Sequence, residues 1–75
     1  MPKLPRVSGA EAIRALERLG FSQVRQRGSH VVLKKITEQR TVGCDVRLHD
    51  ELATGTLRGI LKQAGIDAED FARNL

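Results

Sequence analysis

The chain has 75 residues, a formal net charge of +4, 3% aromatic residues and one cysteine, Cys44. A length of this order makes one domain, residues 1–75, and a lone cysteine excludes both an intramolecular disulfide and a zinc site of several cysteines, as fits a reducing cytoplasm. No apolar run approaches the roughly 20 residues that span a bilayer, and Met1-Pro2-Lys3-Leu4-Pro5-Arg6 lacks the apolar segment of a secretory signal, so neither membrane insertion nor export is expected.

Ser8-Gly9-Ala10-Glu11 has the form of a capping box, in which a serine hydroxyl and a glutamate carboxylate each satisfy a free amide of the first turn. A helix is predicted to start there. Ala12, Ile13, Leu16 and Leu19 recur at spacings of three and four and make its core-facing stripe; Gly20 ends it as a left-handed cap, with Phe21 folding back. The period then turns alternating. Val24 to Arg27 is predicted as a short strand, Gly28-Ser29 as a turn, His30 to Ile36 as a second strand and Thr37 to Arg40 as a polar connection. Thr41 to Leu48 is the third strand, with Val42, Cys44, Val46 and Leu48 toward the core. Leu57, Ile60, Leu61 and Ala64 stripe a second helix running from near Thr54-Gly55-Thr56 to Gly65. Gly59 weakens it by about 1 kcal/mol relative to alanine and suggests close packing there. Asp67 to Asp70 repeats the capping spacing, with Phe71 and Leu75 anchoring a short last helix. The order α-β-β-β-α, with a three-stranded antiparallel sheet and a short C-terminal helix, predicts an α+β domain of two layers.

A hairpin centred on Glu38-Gln39 pairs residues whose numbers sum to 77, and this register sorts the side chains by face. Val31 meets Val46 and Leu33 meets Cys44 toward the core, whereas His30 meets Arg47, Val32 meets Asp45 and Lys34 meets Gly43 on the open side. A slip of one residue would put half of them on the wrong face, so the register is well specified. His30 thereby lies on the wet face with Arg47 across from it and Lys34 beyond.

Charge is unevenly spread. Residues 1–35 hold eight basic against two acidic side chains, a balance of +6, and residues 36–75 hold five against seven, a balance of −2. A basic first half suits a polyanion, nucleic acid being the commonest, and is equally compatible with an ordinary solvated surface. Phe21 and Phe71, the two aromatic residues, both read as core, so reading of single-stranded bases on aromatic platforms is not expected.

Three segments in order resemble the HicA toxin family, small ribonucleases of toxin–antitoxin pairs. They are Ser8-Gly9-x-Glu11 running to Leu19-Gly20-Phe21, then Gly28-Ser29-His30, then His49 followed by Gly55-Thr56-Leu57-Arg58-x-Ile60-Leu61-Lys62-Gln63-Ala64-Gly65. The resemblance implies a double-stranded-RNA-binding-domain-like fold, in agreement with the element order. It also implies His30 as the catalytic histidine, messenger RNA as substrate and a HicB-type antitoxin as inhibitory partner. Where this family commonly has proline two residues before the later histidine, the chain has Arg47.

RNA carries its own nucleophile, the 2′-hydroxyl, so its cleavage requires neither metal nor cofactor, and none is expected. His30 as general acid/base would contribute about 10² to 10⁴ in rate. Arg27, Lys34 or Arg47 would contact the phosphate, and Ser29 would hydrogen-bond to it. The source of the leaving-group proton stays open between water and a lysine. Other readings stand beside these: His30 bonding its own turn, Ser29 as a plain turn residue, and Gly55-Thr56 as a helix start rather than a phosphate site. His49 reads as structural, Cys44 as inert packing, and His30, His49 and Asp45 match no known metal-ligand spacing. Two functions follow: an endoribonuclease toxin, or a non-catalytic RNA-binding module that grips structured RNA by shape. No coiled coil or apolar edge compels self-association, so a monomer when free and a hetero-oligomer with antitoxin are expected.

Overall fold

Ser8 caps the first helix, α1 (Gly9–Arg18), through the reciprocal pair expected of it: its hydroxyl accepts from the Glu11 amide at 3.1 Å and its own amide donates to the Glu11 carboxylate at 3.0 Å. These bonds hold the Glu11 carboxyl below its ordinary pKa. Ala12, Ile13, Ala15 and Leu16 bury its inner stripe. The computed structural model describes residues 4–75; Met1, Pro2 and Lys3, the last of them counted in the charge of the first half, lie outside the described residues.

Helix α1 closes in a Schellman arrangement, with the Phe21 amide on the Leu16 carbonyl and the Gly20 amide on that of Glu17, both at 3.0 Å. Gly20 supplies the φ of +99° that this requires. Lys35 completes the end, its Nζ donating to the Leu19 carbonyl at 2.9 Å, where the helix dipole favours a cation.

The strands β1 (Ser22–Arg27), β2 (His30–Ile36) and β3 (Thr41–Arg47) form one antiparallel sheet in the order β1-β2-β3. Between β2 and β3 every pair sums to 77, from His30↔Arg47 to Ile36↔Thr41, as the alternation of apolar residues demands. β1 departs from expectation. It begins at Ser22 rather than Val24, and the pairing shifts between Gln23 and Arg25, leaving Val24 in a bulge with 54% of its surface exposed. A bulged edge strand carrying Arg25, Gln26 and Arg27 is a poor template for another chain.

Three further expectations are corrected. β3 ends at Arg47, and Leu48 is 39% exposed because its amide leaves the ladder and donates to the Ser29 carbonyl at 2.7 Å. α2 (Thr54–Ala64) packs through Leu57, Ile60, Leu61 and Ala64, so Gly59 faces outward and a Cβ there would meet nothing within 4 Å. α3 (Ala68–Arg73) follows Asp67 without a side-chain cap, and the Asp70 carboxylate pairs with Arg73 rather than reaching back; Phe71 is fully buried, but Leu75 is exposed.

The core lies between the helices and one sheet face, where Leu16, Val31, Leu33, Val46, Leu57 and Phe71 are the largest fully buried side chains. Val7 and Leu52 join it, and the Leu52 amide donates to the Val7 carbonyl at 2.8 Å. Cys44 is inside as expected; burial, with the charge of Asp45 beside it, pushes its thiol up to about 11.

Candidate nucleic-acid interface

Because successive strand residues point to opposite faces, burial of Val31, Leu33, Cys44 and Val46 obliges His30, Val32, Lys34, Gly43, Asp45 and Arg47 to share the other face. β1 extends that face, since Arg25 pairs with Val32 and Arg27 with His30. Among the described residues the helices take the buried side, and the open face carries Arg25, Arg27, Lys34 and Arg47, one carboxylate and a histidine.

Gly28 opens the two-residue turn before His30 with φ +58°, a conformation that favours glycine, and the Gln26 amide group donates to its carbonyl at 3.1 Å. The Ser29 carbonyl takes the Leu48 amide, and the His49 carbonyl takes the Gly9 amide at 2.8 Å. The His30 end of β2 is therefore tied through the segment after β3 to the start of α1.

His30 Nδ1 stands 3.5 Å from Asp45 Oδ1, with 42% and 54% of the two side chains exposed. The contact runs diagonally, for the Cα of His30 is paired with Arg47 and that of Asp45 with Val32. Exposed to this degree, the pair contributes at most about 1 kcal/mol to stability. The two residues line a shallow depression of about 440 Å³ together with Arg25, Arg27 and Val32.

Of the site residues expected from sequence, His30 and Arg27 meet in this depression. Arg47 lies beside His30 in the register, Lys34 lies further along β2, and both are exposed outside the depression. Ser29 is exposed, and its backbone carbonyl forms the bond that fixes the turn. The exposed His49 likewise acts through its carbonyl and does not line the depression. Arg25 and Asp45 complete the depression and were not expected there. Period-two spacing from Arg27, and the diagonal from His30 across the 77 register, are the signals that locate them. No three His, Cys, Asp or Glu side chains are grouped to hold a metal ion among the described residues. No helix among them is long and apolar enough to cross a membrane.

An α-β-β-β-α-α order, a three-stranded antiparallel sheet with helices on one face and a cationic open face around a histidine define a small domain of the double-stranded-RNA-binding type. A family model described as the HicA toxin of bacterial toxin–antitoxin systems matches residues 9–66, from the first residue of α1 to just beyond α2. The chain belongs to the HicA toxin family and is the toxin member of such a system. No curated protein matches it in a sequence comparison.

Proposed function

We propose that this toxin is an endoribonuclease that cuts messenger RNA with His30 as its acid–base group, and that a HicB-type antitoxin silences it by covering the same sheet face. The observation that carries the reading is that His30 lines a depression open to solvent together with Arg25 and Arg27, the latter its Cα partner on the neighbouring strand. An extended polyanion reaches such a surface without a deep cleft, and Arg27, Lys34 and Arg47, with Arg25, supply its phosphate contacts. Ser29, exposed in the turn before His30, is assigned the hydrogen bond to a phosphate oxygen.

The chemistry needs little from the protein because the nucleophile belongs to the RNA. His30 takes the proton of a 2′-hydroxyl; that oxygen bonds to the adjacent phosphorus while the bond from phosphorus to the 5′-oxygen breaks. The products are a 2′,3′-cyclic phosphate and a 5′-hydroxyl; the departing oxygen takes its proton from water or a lysine, and the proton taken by His30 passes to solvent. Arg25 and Arg27 offset the charge that accumulates on the phosphoryl oxygens.

The test compares the wild type with His30→Ala on an in vitro transcript and on the same sequence made as DNA. Cleavage of RNA by the wild type, loss of at least about 100-fold in His30→Ala and no cleavage of DNA are expected. RNA binding without cleavage by both proteins would make this a binding module instead.

A further inference from the structure

We propose that Asp45 is a positioning residue for His30: its carboxylate accepts the proton on Nδ1 and so makes Nε2 the ring atom that faces the RNA. The inference rests on the ribonuclease reading above and adds to it the atom that does the work.

Asp45 is the one carboxylate in the depression, surrounded on the open face by Arg25, Arg27 and Arg47. Among the described residues, no arginine or lysine nitrogen comes within 4.0 Å of it, and its charged-group neighbour is the His30 ring. In the base form of imidazole one nitrogen carries a proton and the other a lone pair. A lone pair on Nδ1 would face the Asp45 oxygen in repulsion, whereas a proton there is attracted to it. The carboxylate therefore selects the tautomer with Nδ1 protonated and the lone pair on Nε2. The 3.5 Å separation belongs to the free protein; contacts of this kind shorten when substrate fixes the ring. The groups facing His30 are Arg25 and Arg27 from β1 and Asp45 and Arg47 from β3, with Val32 and Lys34 on its own strand; no helix residue lines the depression.

The placement also has a cost that points to catalysis. A negative charge in the middle of a cationic face repels the phosphates this face is proposed to hold, so for binding alone the position would be better filled by a neutral residue. Removing it should change affinity and turnover in opposite directions.

The test uses Asp45→Ala and Asp45→Asn beside wild type and His30→Ala, each confirmed to melt as wild type does, on the same transcript. Asp45→Ala is expected to lower KM several-fold while lowering kcat about tenfold or more. Asp45→Asn, whose amide oxygen can still accept from Nδ1, recovers part of that kcat. Ring-nitrogen NMR of His30 should show the proton on Nδ1 in the wild type and its redistribution toward Nε2 in Asp45→Ala. If kcat is unchanged in both Asp45 variants, or falls while the tautomer stays as in the wild type, the positioning role is overturned although loss of cleavage in His30→Ala leaves the ribonuclease reading standing. If His30→Ala itself cleaves normally, the ribonuclease reading fails first.

Discussion

Gly9 lies so close to the end of β3 that a Cβ placed on it would overlap the Arg47 carbonyl oxygen. The start of α1 thus packs directly on the strand end whose Cα pairs with His30, and the contact is with backbone, which has no rotamer to swing aside. The hydrogen bond from the Gly9 amide to the His49 carbonyl depends on the same approach.

Two helical glycines should therefore respond to alanine in opposite directions. Gly9→Ala is expected to destabilise by about 3 kcal/mol or more, because backbone must move to admit the methyl group. Gly59→Ala, exposed with nothing within 4 Å of a new Cβ, should stabilise by about 1 kcal/mol through helix propensity alone. Urea unfolding of the two variants checks both signs.

Removal of cations should separate two groups. Arg25→Ala and Arg27→Ala, in the depression with His30, should lower kcat by roughly 10² and weaken RNA binding. Lys34→Ala and Arg47→Ala, outside it, should raise KM with kcat nearly unchanged. Each of the four should reduce the dependence of log affinity on log salt by about 0.7 for a single strand. Binding titrations at several salt concentrations, with turnover measured alongside, distinguish the groups.

His30 has little to do with stability. Its side chain is 42% exposed and its ionic contact with Asp45 is solvated, so His30→Ala should change unfolding free energy by no more than about 1 kcal/mol while abolishing cleavage. Thermal melts beside the cleavage assay test this directly.

Cys44 gives the fold an alkaline limit. Its thiol pKa is raised from 9.0 to about 11 by burial, so the folded state retains a proton that the unfolded chain releases. The stability this represents is fully present below pH 9 and is lost as pH rises through about 11, with an upper limit of about 2–3 kcal/mol. Cys44→Ala should flatten that part of the stability curve relative to wild type, as read by unfolding at pH 8, 9.5 and 11. At neutral pH the thiol should resist alkylation until the chain unfolds.

Much of the fold was legible because its signals are local or periodic. Ser8 and Glu11 announce their cap by spacing, Gly20 and Phe21 their helix end, and the alternation from Val31 to Leu33 and from Cys44 to Val46 fits one register. Signals failed where a competing partner intervened. Asp70 had the spacing to cap α3 and pairs instead with Arg73. Gly59 suggested a close approach, but the apolar stripe of α2 turns it to solvent. Leu48 had the phase of a core residue, yet the chain leaves the sheet after Arg47 to bond Ser29.

The candidate site divides in the same way. The sequence by itself placed His30 on the open face beside Arg47, because period-two alternation and a hairpin centred on Glu38-Gln39 leave no other arrangement that buries the apolar residues. Which of the surrounding charges reaches the ring was decided only by tertiary structure. Cα pairing names the residue opposite, but a side chain at the strand start leans along the sheet, and His30 meets Asp45 on the diagonal rather than Arg47 across from it. Arg25, by contrast, follows from the turn: Arg25↔Val32 keeps the register of Arg27↔His30, and the shift that leaves Val24 unpaired comes only beyond it, between Gln23 and Arg25. A pairing register is a one-dimensional fact that hydrophobic burial can dictate, whereas the direction of a long polar side chain on a wet face depends on charges from three strands at once.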